Sequence, residues 1–213
     1  MSPAHAHHAG HTPLSPLIHL IDDDAAVRDS LALLIGTVGL RVQVWSDPQA
    51  FIEGFDRQGI GAIVLDVRMP GISGLTVLES LVAQGVDQPV IMLTGHGTVA
   101  MCRRAFKAGA AEFLEKPVND EQLLEALQNA VRQHVRSRER HQADRDARER
   151  YAQLSERERE VLGLIVGGLT NKEIGRALGL SPRTVETHRA NLFGKLEVDS
   201  LARLIRHYAA LAE

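Results

Sequence analysis

Short apolar runs alternate with stretches of helical hydrophobic spacing through the first 130 residues. Each apolar run predicts a strand, and in the segment after it apolar residues recur every three or four positions, as in an amphipathic helix. The predicted strands are Leu17–Ile21, Val42–Trp45, Ile60–Leu65, Pro89–Leu93 and Ala111–Leu114. Strands that alternate with helices in this way indicate an α/β fold, a doubly wound parallel sheet of five strands.

Capping and turn residues delimit the helices between these strands. The predicted helices are Ala25–Val38, one that begins at Asp47-Pro48, Leu75–Gln84, Thr98–Ala108 and one that begins at a capping box of Asn119 and Gln122. Gly39 and Gly109 follow two of them, as glycine commonly does at a helix C-terminus. Asp47 and Pro48 are the residue types preferred at the start of a helix.

Residues 151–213 contain helical patterns and no convincing strand. Two pairs, Ser155 with Glu158 and Thr170 with Glu173, predict capping boxes at the first two helices. Gly179 predicts a turn, Ser181-Pro182 begins a third helix, and a fourth covers Ser200–Leu211. The second and third helices have helix-turn-helix spacing within an all-α unit of four helices.

These patterns divide the chain into four segments. The composition of residues 1–16 predicts a disordered tail. The alternative is that its histidines, His5, His7, His8 and His11, bind a metal. Residues 17–135 form the predicted α/β domain, and residues 151–213 the helical domain. Residues 136–150 are nearly all charged, so they are either a solvated continuation of the preceding helix or an irregular linker.

Charge differs between the two halves. Lys and Arg number 8 against 15 Asp and Glu in residues 1–130, 7 against 4 in residues 131–150, and 9 against 8 in residues 151–213. An acidic module and a mildly basic one suggest different partners. We find no secretory signal, no apolar run near the roughly 20 residues of a membrane span, and one cysteine, Cys102, so we expect a cytoplasmic protein with no membrane partner.

Polar residues stand where four of the strands end. Asp22-Asp23-Asp24, Asp66, Thr94 and Lys116 follow the first, third, fourth and fifth strands. Because the carboxyl ends of parallel strands share one edge of the sheet, we expect these side chains to lie together. Converging carboxylates favour Mg²⁺ between them, and a lysine and a hydroxyl suit a phosphoryl group. Taken alone, Asp66 could equally cap the loop that follows it.

The motifs at these strand ends resemble the receiver domain of two-component response regulators. They are Asp22-Asp23, Asp66 with Met69-Pro70-Gly71, Thr94-Gly95 and Lys116-Pro117. The resemblance implies a flavodoxin-like fold with strand order 2-1-3-4-5. It also implies that Asp66 is the phosphoacceptor, which receives a phosphoryl group from a sensor histidine kinase. It further implies a Mg²⁺ ion held by Asp23, Asp66 and the backbone carbonyl of Arg68, with Asp22 acting partly through water. Lys116 would pair with the phosphate, and its bond to Pro117 would be cis.

The same resemblance implies a switch that couples Thr94 to an aromatic residue on the fifth strand, here Phe113. The family often has Tyr at this position, and Phe lacks the hydroxyl that a hydrogen-bonded switch would use. An ordinary core residue is the alternative for Phe113. Arg68 and His96 lie beside the acceptor in sequence, either to set reaction rates or as solvated loop residues.

Three stretches of the last 63 residues resemble the LuxR-type DNA-binding domain. They are Leu154–Glu158, Gly168–Ile174 and Ser181–His188. Together with the receiver motifs, Ser181–Asn191 resembles the FixJ branch of the NarL/FixJ response regulators. The resemblance implies double-stranded DNA as partner, with base contacts from Glu186, Thr187 and Ala190. We expect phosphate contacts from Lys172, Arg183, Thr184, His188 and Lys195.

Two features of this domain have alternatives. Glu186 could accept a hydrogen bond from cytosine or be a solvated helix charge. The last helix, with Leu201, Leu204, Ile205 and Tyr208, would form either a dimer face or part of the domain core.

We therefore expect a phosphorylation-activated transcription factor that remodels Thr98–Phe113 and forms a homodimer on phosphorylation. RNA polymerase is a further partner that we consider. A phospho-Asp hydrolase would need a second acid two residues after Asp66, where Arg68 stands, so we do not expect an enzyme. A DNA-binding or scaffold protein that is independent of phosphorylation is the third alternative.

Overall fold

The computed structural model describes residues 15–212. Residues 1–14 of the predicted tail, which include its four histidines, lie outside this range. The chain divides after Ser137 into two compact units. The four segments predicted from the sequence keep their limits as predictions.

Five parallel strands form one sheet in the first unit, in the order β2-β1-β3-β4-β5. They are β1 (Leu17–Ile21), β2 (Arg41–Trp45), β3 (Gly61–Asp66), β4 (Val90–Thr94) and β5 (Glu112–Glu115). This order confirms the predicted topology. Every residue of β3 is buried, because helices cover both faces of a doubly wound sheet, and its near-continuous apolar sequence follows from that burial.

Five helices flank the sheet: α1 (Ala25–Gly36), α2 (Pro48–Gly54), α3 (Gly74–Ala83), α4 (Val99–Lys107) and α5 (Asp120–Ala152). Successive residues of β3 point to opposite faces of the sheet, and each face packs against its own core. Ile63 and Leu65 pack with α2 and α3, whereas Ala62 and Val64 pack with α1 and α5. The predicted linker, residues 136–150, lies within α5 and is helical.

Close packing brings α3 against the end of β3. A Cβ atom on Gly74 would lie 2.0 Å from the carbonyl oxygen of Asp66 and 3.1 Å from Val67 Cα. Only glycine allows the first residue of α3 to approach the backbone this closely. Gly74 therefore sets the position of the helix that follows the Asp66 loop.

An aromatic cluster surrounds His19 on β1. The rings of Trp45, Phe51 and Phe55 lie 5.6–6.1 Å from the imidazole, and Trp45 Nε1–H donates to His19 Nδ1 at 3.2 Å. Burial lowers the pKa of His19 below its ordinary 6.5, an effect that the nearby Asp56 carboxylate partly opposes. The hydrogen bond from Trp45 requires the neutral imidazole.

The second unit contains helices α6 (Glu156–Val166), α7 (Asn171–Leu178), α8 (Pro182–Lys195) and α9 (Leu201–Tyr208), followed by a 3₁₀ turn at Ala209–Leu211. Both predicted capping boxes are present, at Ser155 and at Thr170. Gly179 ends α7 in the left-handed conformation with φ of 67° and makes the predicted turn.

The interpretation of α9 as a dimer face is wrong for two of its four residues. Leu204 and Tyr208 are buried in the core of this unit, with relative exposures of 0% and 2%. The hydroxyl of Tyr208 donates to the Leu196 carbonyl at 3.0 Å, which attaches α9 to the end of α8. Of these four residues, Leu201 and Ile205 are exposed.

Across residues 15–212, every helix is too short or too polar to cross a membrane.

Candidate acidic site and nucleic-acid interface

The strand ends bring three of the predicted site residues into direct contact. Lys116 Nζ lies 2.5 Å from Asp22 Oδ2 and 2.6 Å from Asp66 Oδ1, so the ammonium bridges the two carboxylates. Asp22 is fully buried and Asp66 nearly so. The predicted cis bond between Lys116 and Pro117 is present.

Backbone groups hold the two carboxylates in place. Asp66 Oδ2 accepts from the Arg68 N–H at 2.6 Å, and Asp22 Oδ1 accepts from the Asp24 N–H at 3.0 Å. The guanidinium of Arg28 donates to the Asp22 carbonyl at 2.7 Å and ties this loop to α1. Asp66 Oδ1 therefore contacts a cation, while Oδ2 is fixed by its own loop.

The site carries more negative than positive charge. Burial raises the pKa of Asp66, although the hydrogen bond and charge of Lys116 oppose that shift. Burial acts to lower the pKa of Lys116, but its hydrogen bonds to Asp22 and Asp66 outweigh this and the pKa is raised. Two carboxylates around one ammonium leave a net negative charge, which favours the binding of a further cation.

The third carboxylate of the predicted site, Asp23, is exposed and takes no part in the buried contact, in which Lys116 lies between Asp22 and Asp66. Within the described part of the chain, no three His, Cys, Asp or Glu side chains come together to hold a metal. The predicted Mg²⁺ set needs only two carboxylates and the Arg68 carbonyl besides water, and these hard oxygen donors suit that ion.

Thr94 ends β4 and is fully buried. Its hydroxyl accepts from the His96 N–H at 3.3 Å and lies 3.9 Å from Met101 Sδ. A Cβ atom built on Gly97 would lie 3.5 Å from the Thr94 methyl and 3.4 Å from Phe113, so both side chains flank the same loop. Thr94 and Phe113 therefore both lie beside Gly97, in the loop that follows β4.

Beyond Phe113, a groove of about 450 Å³ runs along α4. Its lining includes Val99, Cys102, Arg103, Phe106, Phe113 and Glu115. Val99 is 80% exposed and Phe106 is 47% exposed. Sequence reasoning named the stretch Thr98–Phe113 but missed this pair, although their spacing of seven places them on one helix face.

A second cleft of about 350 Å³ lies beside Lys116 and Pro117. Apolar side chains of α1, including Val27, Leu31 and Leu34, form its other wall. Sequence reasoning missed this cleft, because helical spacing shows that these residues share a face of α1 without showing which segment lies opposite.

The recognition helix α8 has a buried and an exposed side. Val185 and Leu192 are buried, whereas the three predicted base contacts, Glu186, Thr187 and Ala190, are exposed. Asn191 is exposed on the same side and was missed, although it follows Thr187 by four residues. The side chain of Ser181 accepts from the Thr184 N–H and begins the helix at Pro182.

The predicted phosphate contacts differ in their surroundings. Lys172 and Arg183 are exposed, whereas Thr184 and His188 are partly buried, and the Thr184 hydroxyl is bonded to Ser181 at 2.8 Å. Lys195, the fifth predicted phosphate contact, forms an ion pair within its own unit. Its Nζ lies 2.6 Å from Oε2 of Glu158, a buried carboxylate within its own domain.

Both halves of the chain match known protein families. Residues 18–128 match the response regulator receiver domain, and residues 152–208 match the bacterial regulatory proteins of the luxR family.

Full-length relatives share both halves. The chain is 45% identical to the transcriptional regulatory protein FixJ of Azorhizobium caulinodans over 194 residues, which cover 91% of this chain and 92% of FixJ. It is 37% identical to the response regulator protein TodT of Pseudomonas putida over 89% of this chain and 84% of TodT. Among solved structures, the response regulator StyR is 36% identical with a TM-score of 0.82, over 92% of this chain and 99% of StyR.

Proposed function

This chain belongs to the FixJ-like response regulators of the NarL/FixJ family, which are transcriptional regulators and not enzymes, and we propose that phosphorylation of Asp66 controls its binding to promoter DNA. A sensor histidine kinase would supply the phosphoryl group. In that transfer, Asp66 forms a new P–O bond while the P–N bond of the phosphohistidine breaks, so no further reactant is needed.

One observation carries this proposal: the contact between Asp66 Oδ1 and Lys116 Nζ at 2.6 Å. It supports a nucleophilic carboxylate with a cation already beside it to pair with phosphoryl oxygens. We further propose Mg²⁺ as the cofactor, with Asp23, Asp66 and the Arg68 carbonyl as ligands and Asp22 acting through water. When bound, the ion would neutralise charge on the phosphoryl oxygens.

A phosphoryl group is large enough in charge to act as a switch. It carries about −1.5 to −2 charges in place of the single charge of the Asp66 carboxylate, so the site gains about −0.5 to −1, and unit charges 4 Å apart interact by about 4 kcal/mol at an effective dielectric constant of about 20. Moving a two-state equilibrium from 1:99 to 99:1 takes about 5.5 kcal/mol. The added charge beside Lys116 is worth about 2–4 kcal/mol by this estimate, and a charge-assisted hydrogen bond from the Thr94 hydroxyl adds about 1.5–3 kcal/mol, so together they reach this size.

The path from the acceptor to the DNA-binding domain would begin at Thr94. If its hydroxyl turns from the His96 N–H to the phosphate, the Gly97 loop and Phe113 must repack, because both contact this region. The exposed Val99 and Phe106 beside them would then form a homodimer surface. A dimer would present two copies of α8 to adjacent half-sites of promoter DNA, where RNA polymerase is a further partner.

The cleft beside Lys116 supports a docking place for the kinase. Its apolar wall on α1 lies next to the residue that contacts Asp66, so a partner helix there would bring a phosphohistidine toward the acceptor.

Genome-wide DNA footprinting with Mg²⁺, with and without a small phosphodonor, tests the proposal. We expect protection of discrete sites to increase with the phosphodonor in the wild type. Asp66→Asn should abolish this increase, whereas Asp29→Asn, which changes an exposed carboxylate on α1, should keep it. Equal protection by wild type and Asp66→Asn under both conditions would refute control by phosphorylation.

A further inference from the structure

Glu158 is a buried carboxylate on α6 that contacts the far end of the recognition helix. It is 4% exposed, and its Oε2 accepts from the Ser155 N–H at 2.8 Å, from the Ser155 hydroxyl at 3.0 Å and from Lys195 Nζ at 2.6 Å. Burial acts to raise the pKa of Glu158, but the bonds from Lys195 and Ser155 outweigh it and lower the pKa. The carboxylate is therefore charged, and its Oε2 accepts three hydrogen bonds from groups of the same unit.

Lys195 is the last residue of α8, and the residue after it is held as well. The Leu196 carbonyl accepts from the Tyr208 hydroxyl of α9, and Leu196 itself is buried. The C-terminal end of α8 is thus fixed by α6 on one side and by α9 on another. The exposed base-contact candidates lie one to three turns earlier on the same helix, so rotation at this end would move them away from the base edges.

We propose that Glu158 and Lys195 are positioning residues, which fix the rotation of α8 and let Lys195 support DNA binding through Glu158 instead of through a DNA phosphate. The inference rests on the proposed DNA binding by α8. It replaces the phosphate role predicted for Lys195. Removal of Lys195 leaves a buried carboxylate without its cation, whereas removal of Glu158 leaves a lysine whose side chain is 40% exposed and can turn to water. The two losses should therefore reduce DNA affinity unequally.

The salt dependence of DNA affinity distinguishes positioning from phosphate contact. Each phosphate contact contributes about 0.9 to the slope of log affinity against log salt concentration. We would measure this slope for the full-length chain on a short duplex that carries the strongest footprinted site. Lys172→Gln serves as the matched control, because Lys172 is an exposed lysine at the predicted interface.

We expect Lys172→Gln to reduce the magnitude of the slope by about 0.9. Lys195→Gln, which leaves the buried Glu158 unpaired, should weaken binding about tenfold, equivalent to about 1.4 kcal/mol, and Glu158→Gln should weaken it by less, with the slope unchanged in both. The double variant should bind no more weakly than the weaker single variant, because both changes remove one interaction. Circular dichroism checks that each variant is folded, and Glu158→Asp provides a conservative variant that should recover part of the affinity.

Two results would overturn the proposal: a slope reduced by about 0.9 in Lys195→Gln, or wild-type affinity in Glu158→Gln. Additive losses in the double variant would also contradict it. A wild-type chain that bound no duplex at any salt concentration would refute the proposed function itself, and with it the DNA role of this pair.

Discussion

Substitution of Gly74 by alanine tests how closely α3 must approach the Asp66 loop. The new Cβ would lie 2.0 Å from the Asp66 carbonyl oxygen, whereas ordinary contact begins at 3.4 Å, so the two backbones must separate by about 1.4 Å. Helix α3 buries Leu75, Val77, Leu78 and Leu81 in the core, and all four would move with it. We expect a loss near the upper end of the 1–3 kcal/mol that overpacking costs, about 3 kcal/mol.

Thermal unfolding followed by the fluorescence of Trp45 measures this effect in the first unit alone, because the chain has one tryptophan. A loss of about 3 kcal/mol should lower the midpoint by roughly 10 °C. The same displacement moves the acceptor, and a 1 Å misplacement of a reacting group can cost about 100-fold in rate. Phosphorylation of the variant by a small phosphodonor should therefore be slower by about that factor.

Gly36→Ala is the matched control. Gly36 ends α1, and a Cβ there would meet no atom within 4 Å. We expect this variant to be as stable as the wild type or more stable by about 0.5 kcal/mol, with normal phosphorylation. If Gly74→Ala unfolded at the same temperature as Gly36→Ala, the packing argument would be refuted.

Three further substitutions test the electrostatics and the turn. His19 has a lowered pKa in the folded chain, so the unfolded chain binds more protons below pH 6.5. The free energy of unfolding should therefore fall as pH decreases through that range. His19→Gln should lack this loss in urea unfolding followed by Trp45 fluorescence. Asp66 has a raised pKa in the folded chain, so its ionisation destabilises the fold. Asp66→Asn should therefore be more stable than the wild type by about 0.5–2 kcal/mol at neutral pH. This difference in stability should vanish as pH falls toward 3.8. Gly179→Ala should destabilise the second unit by about 1 kcal/mol in calorimetry, and Gly179→Asn by less, because asparagine tolerates a φ of 67° better.

Each of these has an outcome that would contradict it. A parallel pH profile for wild type and His19→Gln would remove His19 as the cause. A less stable Asp66→Asn at neutral pH would mean that the pair with Lys116 outweighs burial. Equal stability of the alanine and asparagine variants at position 179 would show that backbone conformation does not limit that turn.

Local sequence signals predicted the strands and the helix starts, whereas the strand order came from the resemblance to receiver domains. The apolar run before Asp66 ends where the strand ends, because a buried parallel strand requires apolar residues on both faces. The boxes at Ser155 and Thr170 are contacts between residues three positions apart, so spacing alone identifies them. The placement of Asp22, Asp66 and Lys116 at one edge followed from topology.

Contacts between distant segments could not be predicted in the same way. The pair of Lys195 with Glu158 joins residues 37 positions apart, and a helical pattern shows which face is polar without showing what lies opposite. Leu204 and Tyr208 looked like a dimer surface for the same reason. The bridging position of Lys116 depends on the side-chain lengths that fit the buried edge, and charge counting alone predicted mutual repulsion of three acids.

The three apolar clusters of residues 15–212 are each confined to one of the two units. Two lie on the faces of the sheet and the third lies among the last four helices and the end of α5. A core substitution in one unit therefore removes no side-chain contact from the core of the other. Evolution can consequently alter or exchange the DNA-binding unit, and so the genes it addresses, without having to redesign the unit that receives the signal.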